Sequence, residues 1–128
     1  MNAPTWLLSI PLGFAWTLFM RVLSVVLQEK SGVPLLNQLG REQALSKEVA
    51  MKDTNGYTRR AYLAHRNSWE AMILWTSSVL TAKVMGVGED KMNATAIVWM
   101  VARFIYLPAY IFIKTNKAAY FRTAVFTV

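Results

Sequence analysis

From Trp6 to Leu27 the chain reads WLLSIPLGFAWTLFMRVLSVVL, a run with one charge, Arg21. At 1.5 Å per residue a helix of that length covers the roughly 30 Å of a bilayer's hydrocarbon core. Two more apolar runs follow: Ala71–Val87, interrupted only by Lys83, and Ala94–Ile113, with Arg103 at its middle. In lipid every backbone polar group must be satisfied within its own segment, so three such runs predict three transmembrane helices. Each also carries a basic residue that lipid tolerates only for a reason.

Helix one is expected over 6–27, with Pro11 and Gly13 as points where it kinks. No basic segment precedes it and no small-x-small cleavage site follows, which argues against a cleaved signal peptide. Residues 28–56 read as a polar loop with the turn signals GVP, NQLG and DTNGY, and with a short helix around Arg41–Met51. Helix two is expected over 57–87 and helix three over 94–113, joined by the tight connection GVGEDKMN. A fourth helix opens over 119–128 and gives only about 12 Å before the sequence stops, as in a C-terminally truncated chain. The fold class is therefore all-α: an integral membrane four-helix bundle of left-handed up-down topology. Three full transmembrane helices and the start of a fourth make one domain over 1–128.

Charge sets an orientation. No Lys or Arg precedes helix one, six lie between Gln28 and Arg60, one lies in Gly86–Asn93 beside two acids, and three lie in Lys114–Arg122. This alternation predicts an N-terminus outside and both basic loops in the cytoplasm, in an inner or cell membrane. The net charge of +7 is spread over loops and forms no aromatic-interleaved basic face, so nucleic acid is not an expected partner. With no cysteine, disulfides, thiolate-held metals and a protein thiol nucleophile are all excluded. His65 has no acidic or histidine companion at ligand spacing, so it reads as an interfacial side chain and no metal site is expected. No nucleophile–base–acid triad or phosphate-binding glycine loop is present.

The polar residues within the apolar runs carry the candidate chemistry. Insertion of an arginine facing lipid at the centre of a helix costs about 2.5–3.5 kcal/mol, so Arg103 should face protein or a water-filled cavity. Tyr106 and Tyr110 follow at i+3 and i+7, on the same face. On helix two, within RAYLAHRNSWEAM, stand Arg66, Asn67 and Glu70. Pairing with Arg103 or Arg66 would keep Glu70 ionised at that depth. A purely structural reading stays open, with Arg103 paired for packing and the tyrosines as core or belt aromatics. Lys83 lies near enough to its helix end to snorkel, and Arg21 either does the same or joins a pocket. Arg122, opening the fourth helix, reads on its own as a topology anchor.

These residues in this order resemble the MAPEG family, the membrane-associated proteins in eicosanoid and glutathione metabolism, in a bacterial-type member. The likeness is carried by chain size and the long loop after helix one. It is carried also by AHRNxxE in Ala64–Glu70, and by Arg103-x-x-Tyr106-x-x-x-Tyr110 followed by Arg122. The resemblance implies a homotrimer of four-helix protomers in contact with membrane lipids, with glutathione, as co-substrate, between neighbouring protomers near the cytoplasmic side. Arg66, Asn67, Glu70, Arg103, Tyr106 and Tyr110 would bind it. Arg122 matches the catalytic arginine that stabilises the glutathione thiolate. Glutathione carries two carboxylates and an ammonium, and an arginine-rich pocket of low dielectric binds such a molecule and favours its thiolate.

Two functions are consistent with these residues. One is a glutathione-dependent membrane transferase or peroxidase acting on a lipophilic electrophile or hydroperoxide. The other is a non-catalytic lipid-binding or scaffolding protein of the same fold. A small proton-coupled transporter would need a carboxylate in helix one, where only Arg21 stands.

Overall fold

The computed structural model describes residues 3–32, 52 and 56–113. The short helix expected at 41–51, the fourth helix over 119–128 and Arg122 lie outside the described residues. Within them three α-helices are present: α1 (Thr5–Lys30), α2 (Tyr57–Val84) and α3 (Glu89–Phe112).

The core helix, α1, runs unbroken through Pro11 and Gly13, the two positions expected to kink it. Its N-terminal amides have no side-chain cap of their own. Instead the Trp6 N–H donates to Asn93 Oδ1 of α3 at 3.0 Å, so the start of one helix is satisfied by another. That contact also explains why α3 begins at Glu89, earlier than the expected Ala94. Glu89 and Asp90 occupy its first turn, where the helix dipole favours acids, and Asn93 is held one turn on. The α2–α3 connection is correspondingly short. Gly86 takes φ 75° and its N–H returns to the Lys83 carbonyl at 3.1 Å, closing α2 with a left-handed residue that glycine accepts without strain.

The polarity of α1 is inverted relative to a soluble helix. Ser9, Thr17, Ser24 and Gln28 are buried, while Leu7, Leu8, Leu12, Leu18, Phe19 and Val22 are exposed. Small and polar residues inside with large apolar ones outside is the pattern of helices packed in lipid, where close backbone approach rather than the hydrophobic effect drives association. Hydroxyls are quieted locally: Thr17 donates to the Gly13 carbonyl at 2.9 Å and Ser68 to that of Ala64 at 2.8 Å. Gly13 itself marks a close approach, since a Cβ there would lie 2.5 Å from Met72 Sδ and 3.2 Å from the Trp99 ring.

Two helices, α1 and α3, are long and apolar enough to cross a membrane. The third expected span, α2, does not meet the same test of length and composition: Arg59, Arg60, His65, Arg66 and Glu70 stand in its first half. Its 28 residues still reach about 42 Å, so length is not what it lacks. The apolar interior is split into two clusters along the bundle. One, near the α2–α3 turn, gathers Trp6, Met72, Trp75, Val79, Met92 and Trp99. The other, near the start of α2, gathers Met20, Ala61, Ala64, Tyr106, Leu107 and Ile111. Arg103 lies between them, beside a void of about 10 Å³ also lined by Gly13, Thr17 and Ser68.

Candidate functional site

The polar residues of α2 point two ways, because successive helical positions are about 100° apart. Asn67 turns toward α3 and donates from Nδ2 to the Tyr106 hydroxyl at 3.3 Å. Tyr106 is 3% exposed, and its ring stands 5.6 Å from that of Tyr110. Arg103 is enclosed on the same side. Its guanidinium carbon lies 5.6 Å from the ring centres of both Trp99 and Tyr106, and the residue is 8% exposed. A guanidinium against aromatic faces gains cation–π attraction that strengthens as water is removed. Trp99 in turn stacks on Trp75, 4.7 Å between centres and 10° between planes, and the Trp75 Nε1–H donates to Ser9 Oγ at 2.9 Å. An aromatic column thus ties Arg103 to all three helices.

Arg66 and Glu70 lie on the other side of α2, facing α1. With Arg21, Tyr62, His65 and Trp69 they line an open cleft of about 360 Å³. The Arg21 guanidinium sits 5.4 Å from the Tyr62 ring centre. His65 Nδ1 is 2.9 Å from the Thr17 carbonyl oxygen. Because a carbonyl only accepts, Nδ1 carries the hydrogen there, which leaves Nε2 to accept from the Trp69 indole N–H at 3.1 Å. This imidazole joins α1 to α2 and steadies one wall of the cleft. The sequence had it as a mere interfacial side chain.

The structure therefore brings Asn67, Arg103, Tyr106 and Tyr110 together on the α3 side, and Arg66 with Glu70 on the α1 side. The expected pairing of Glu70 with Arg103 is not formed. Glu70 is exposed in the cleft, while rings surround Arg103. Residues that spacing alone passed over are Tyr62, His65 and Trp69. They share with Arg66 and Glu70 a three-to-four-residue rhythm that marks one helix face. Among the described residues no group of three His, Cys, Asp or Glu side chains is placed to hold a metal ion.

Compared with known families, the chain matches the MAPEG family model over residues 7–128. It belongs to the MAPEG family. No curated protein and no solved structure matched it. MAPEG membership and the two apolar helices together fit an integral membrane protein in contact with lipid. The inverted polarity of α1 is the physical counterpart of that assignment. Within this MAPEG chain, α2 is the helix whose polar half departs from a plain membrane span, and both groups of candidate residues are built on it.

Proposed function

We propose that this protein is a glutathione-dependent membrane transferase or peroxidase acting on a lipophilic electrophile or hydroperoxide. The observation that carries the reading is the α1–α2 cleft, which sets two guanidiniums and one carboxylate around a space of about 360 Å³. That volume falls within the range of small-molecule sites, roughly 300–1,000 Å³. The family to which the chain belongs includes glutathione transferases and peroxidases, which supports the same reading. In it, Arg66, Glu70 and Asn67 belong to the glutathione site, Arg103, Tyr106 and Tyr110 form its supporting wall, and Arg122 stabilises the thiolate. That thiolate then attacks the electrophile or reduces the hydroperoxide. In this reading the protein is a homotrimer with the site between protomers, to which the α1-side residues of one copy and the α3-side residues of its neighbour would both contribute.

Thermal unfolding of the detergent-solubilised protein with increasing glutathione tests this directly, because a ligand of the native state raises stability by mass action. A concentration-dependent rise in the melting temperature is expected. Arg122→Ala should abolish turnover with a model electrophile while leaving assembly intact.

The enclosure of Arg103 favours a second reading, a non-catalytic lipid-binding or scaffolding protein in which the polar residues only hold helices together. Under it glutathione leaves the melting temperature unchanged, and Arg103→Leu disrupts assembly.

A further inference from the structure

A groove of about 190 Å³ opens between α2 and α3 beside their connection. It is remote from the α1–α2 cleft: Ala82, on its α2 wall, follows Arg66 by 16 residues, about 24 Å along the helix. Val79 and Met92, both buried, and Val87 of the connection line it, so its surface is apolar almost throughout. The charge on its wall is Lys91, in the first turn of α3, and no carboxylate lines it. The helix dipole favours the neighbouring Glu89 and Asp90 but gives no local reason for a cation in that turn. Nor does packing, since Lys91 is exposed. Lys83, at the other side of the connection, is engaged elsewhere, with its Nζ 5.6 Å from the ring centre of Trp6 on α1. Because α3 is apolar and long enough to cross a membrane, its first turn stands where hydrocarbon meets headgroups.

We propose that this groove is a phospholipid-binding site, with a stretch of one acyl chain between α2 and α3 and the lipid phosphate on Lys91. A phospholipid carries in one molecule the two features the groove matches: an apolar chain and, at the boundary where that chain ends, a phosphodiester anion. Free phosphate and glutathione offer the anion without the chain. Lysine suits the position because its stem lies along apolar surface while its ammonium meets phosphate as a point charge. Basic pockets between transmembrane helices take lipid headgroups by the same combination. Ser78, exposed on the α2 wall, keeps the groove open, since a larger side chain there would occupy the space assigned to the chain.

The assignment is tested by native mass spectrometry of the detergent-solubilised full chain. It is titrated with palmitoyl-oleoyl phosphatidylethanolamine, with the diacylglycerol of the same chains, which lacks the phosphate, and with glycerophosphoethanolamine, which lacks the chains. Wild type should retain the phospholipid about fivefold or more tightly than the diacylglycerol, and should not retain the chainless headgroup. Lys91→Gln should weaken the phospholipid to the level of the diacylglycerol, Lys91→Arg should keep the preference, and Ser78→Leu should weaken both lipids. Both positions are exposed, so these variants should melt with the wild type before lipid is added. Equal retention of the two lipids by wild type, or phospholipid retention undiminished in Lys91→Gln, overturns the proposal in favour of ordinary solvation by the bilayer. Retention of the chainless headgroup as tightly as the phospholipid overturns the role of the groove. A Ser78→Leu variant that changes oligomeric state while holding lipid as wild type does would give the groove to a second copy of the chain and also overturn it.

Discussion

The two sides of α2 solve opposite problems with the same chemical group. On the α3 side a guanidinium, Arg103, is 8% exposed and held against Trp99 and Tyr106, with Asn67 bonded to Tyr106 beside it. On the α1 side the guanidiniums of Arg21 and Arg66 border an open cleft with a carboxylate among them. An arginine in an apolar span is therefore ambiguous until its surroundings are known. Arg103 stands against two aromatic rings, whereas Arg21 and Arg66 border an open cleft of ligand size. If this contrast is sound, lesions in the seam should lower stability first, and lesions in the cleft should lower ligand affinity with the fold intact.

The largest effect is expected from Trp99→Ala. It removes the ring stacked on Trp75 and one of the two faces against Arg103. Truncating a buried aromatic costs about 3–5 kcal/mol, read as a large fall in the melting temperature of the detergent-solubilised protein. Near-wild-type melting would break the comparison at its root. Gly13→Ala comes next. The new methyl meets Met72, which is 1% exposed, and the Trp99 ring. Met72 meets the methyl with the flexible end of its side chain, beside a small void that Gly13 also lines, so the cost falls mainly on the Trp99 ring and about 1–2 kcal/mol is expected for overpacking, measured by the same unfolding experiment. Tyr106→Phe is smaller. It deletes the hydroxyl that accepts from Asn67 and should cost about 1 kcal/mol. Combined with Asn67→Ala in a double-mutant cycle, the pair should show less than the sum of the single losses, because they share one hydrogen bond.

Much of this arrangement was legible in the sequence, for physical reasons that also mark where legibility ends. Apolar runs of bilayer length announce helices, and α1 and α3 are the two that pass as spans. Their ends were harder to read, since the start of α3 depends on Asn93 reaching the Trp6 amide, a contact between residues far apart in the chain. The polar half of α2 was visible as composition, yet the apolar half beside it masked its consequence. Spacing correctly grouped Arg103, Tyr106 and Tyr110 on one face, because residues three and four apart share a side of the helix. It could not say which neighbour each side of α2 would meet. The register of Arg21 over Tyr62, and of His65 against Thr17, is set by how α1 packs on α2. No local pattern encodes that.

The smallest expected effect on stability, and the one that most sharpens the contrast, belongs to Arg66→Gln. Arg66 is exposed at the cleft, and the polar replacement leaves neither a buried cavity nor a stranded partner in the seam. Its melting temperature should match wild type in the absence of ligand. The glutathione-dependent rise in melting temperature should shrink, because a weaker dissociation constant lowers the stabilisation reached at any given ligand concentration. Trp75→Phe, also on α2, should behave in reverse, starting lower and rising with glutathione by nearly the wild-type amount, since the indole it loses packs on Trp99 and bonds Ser9, away from the cleft. Measured side by side, the two variants separate binding from packing on a single helix. If instead both variants lost stability and ligand response in equal proportion, the cleft and the seam would be one cooperative unit, and the division along α2 would have no energetic meaning.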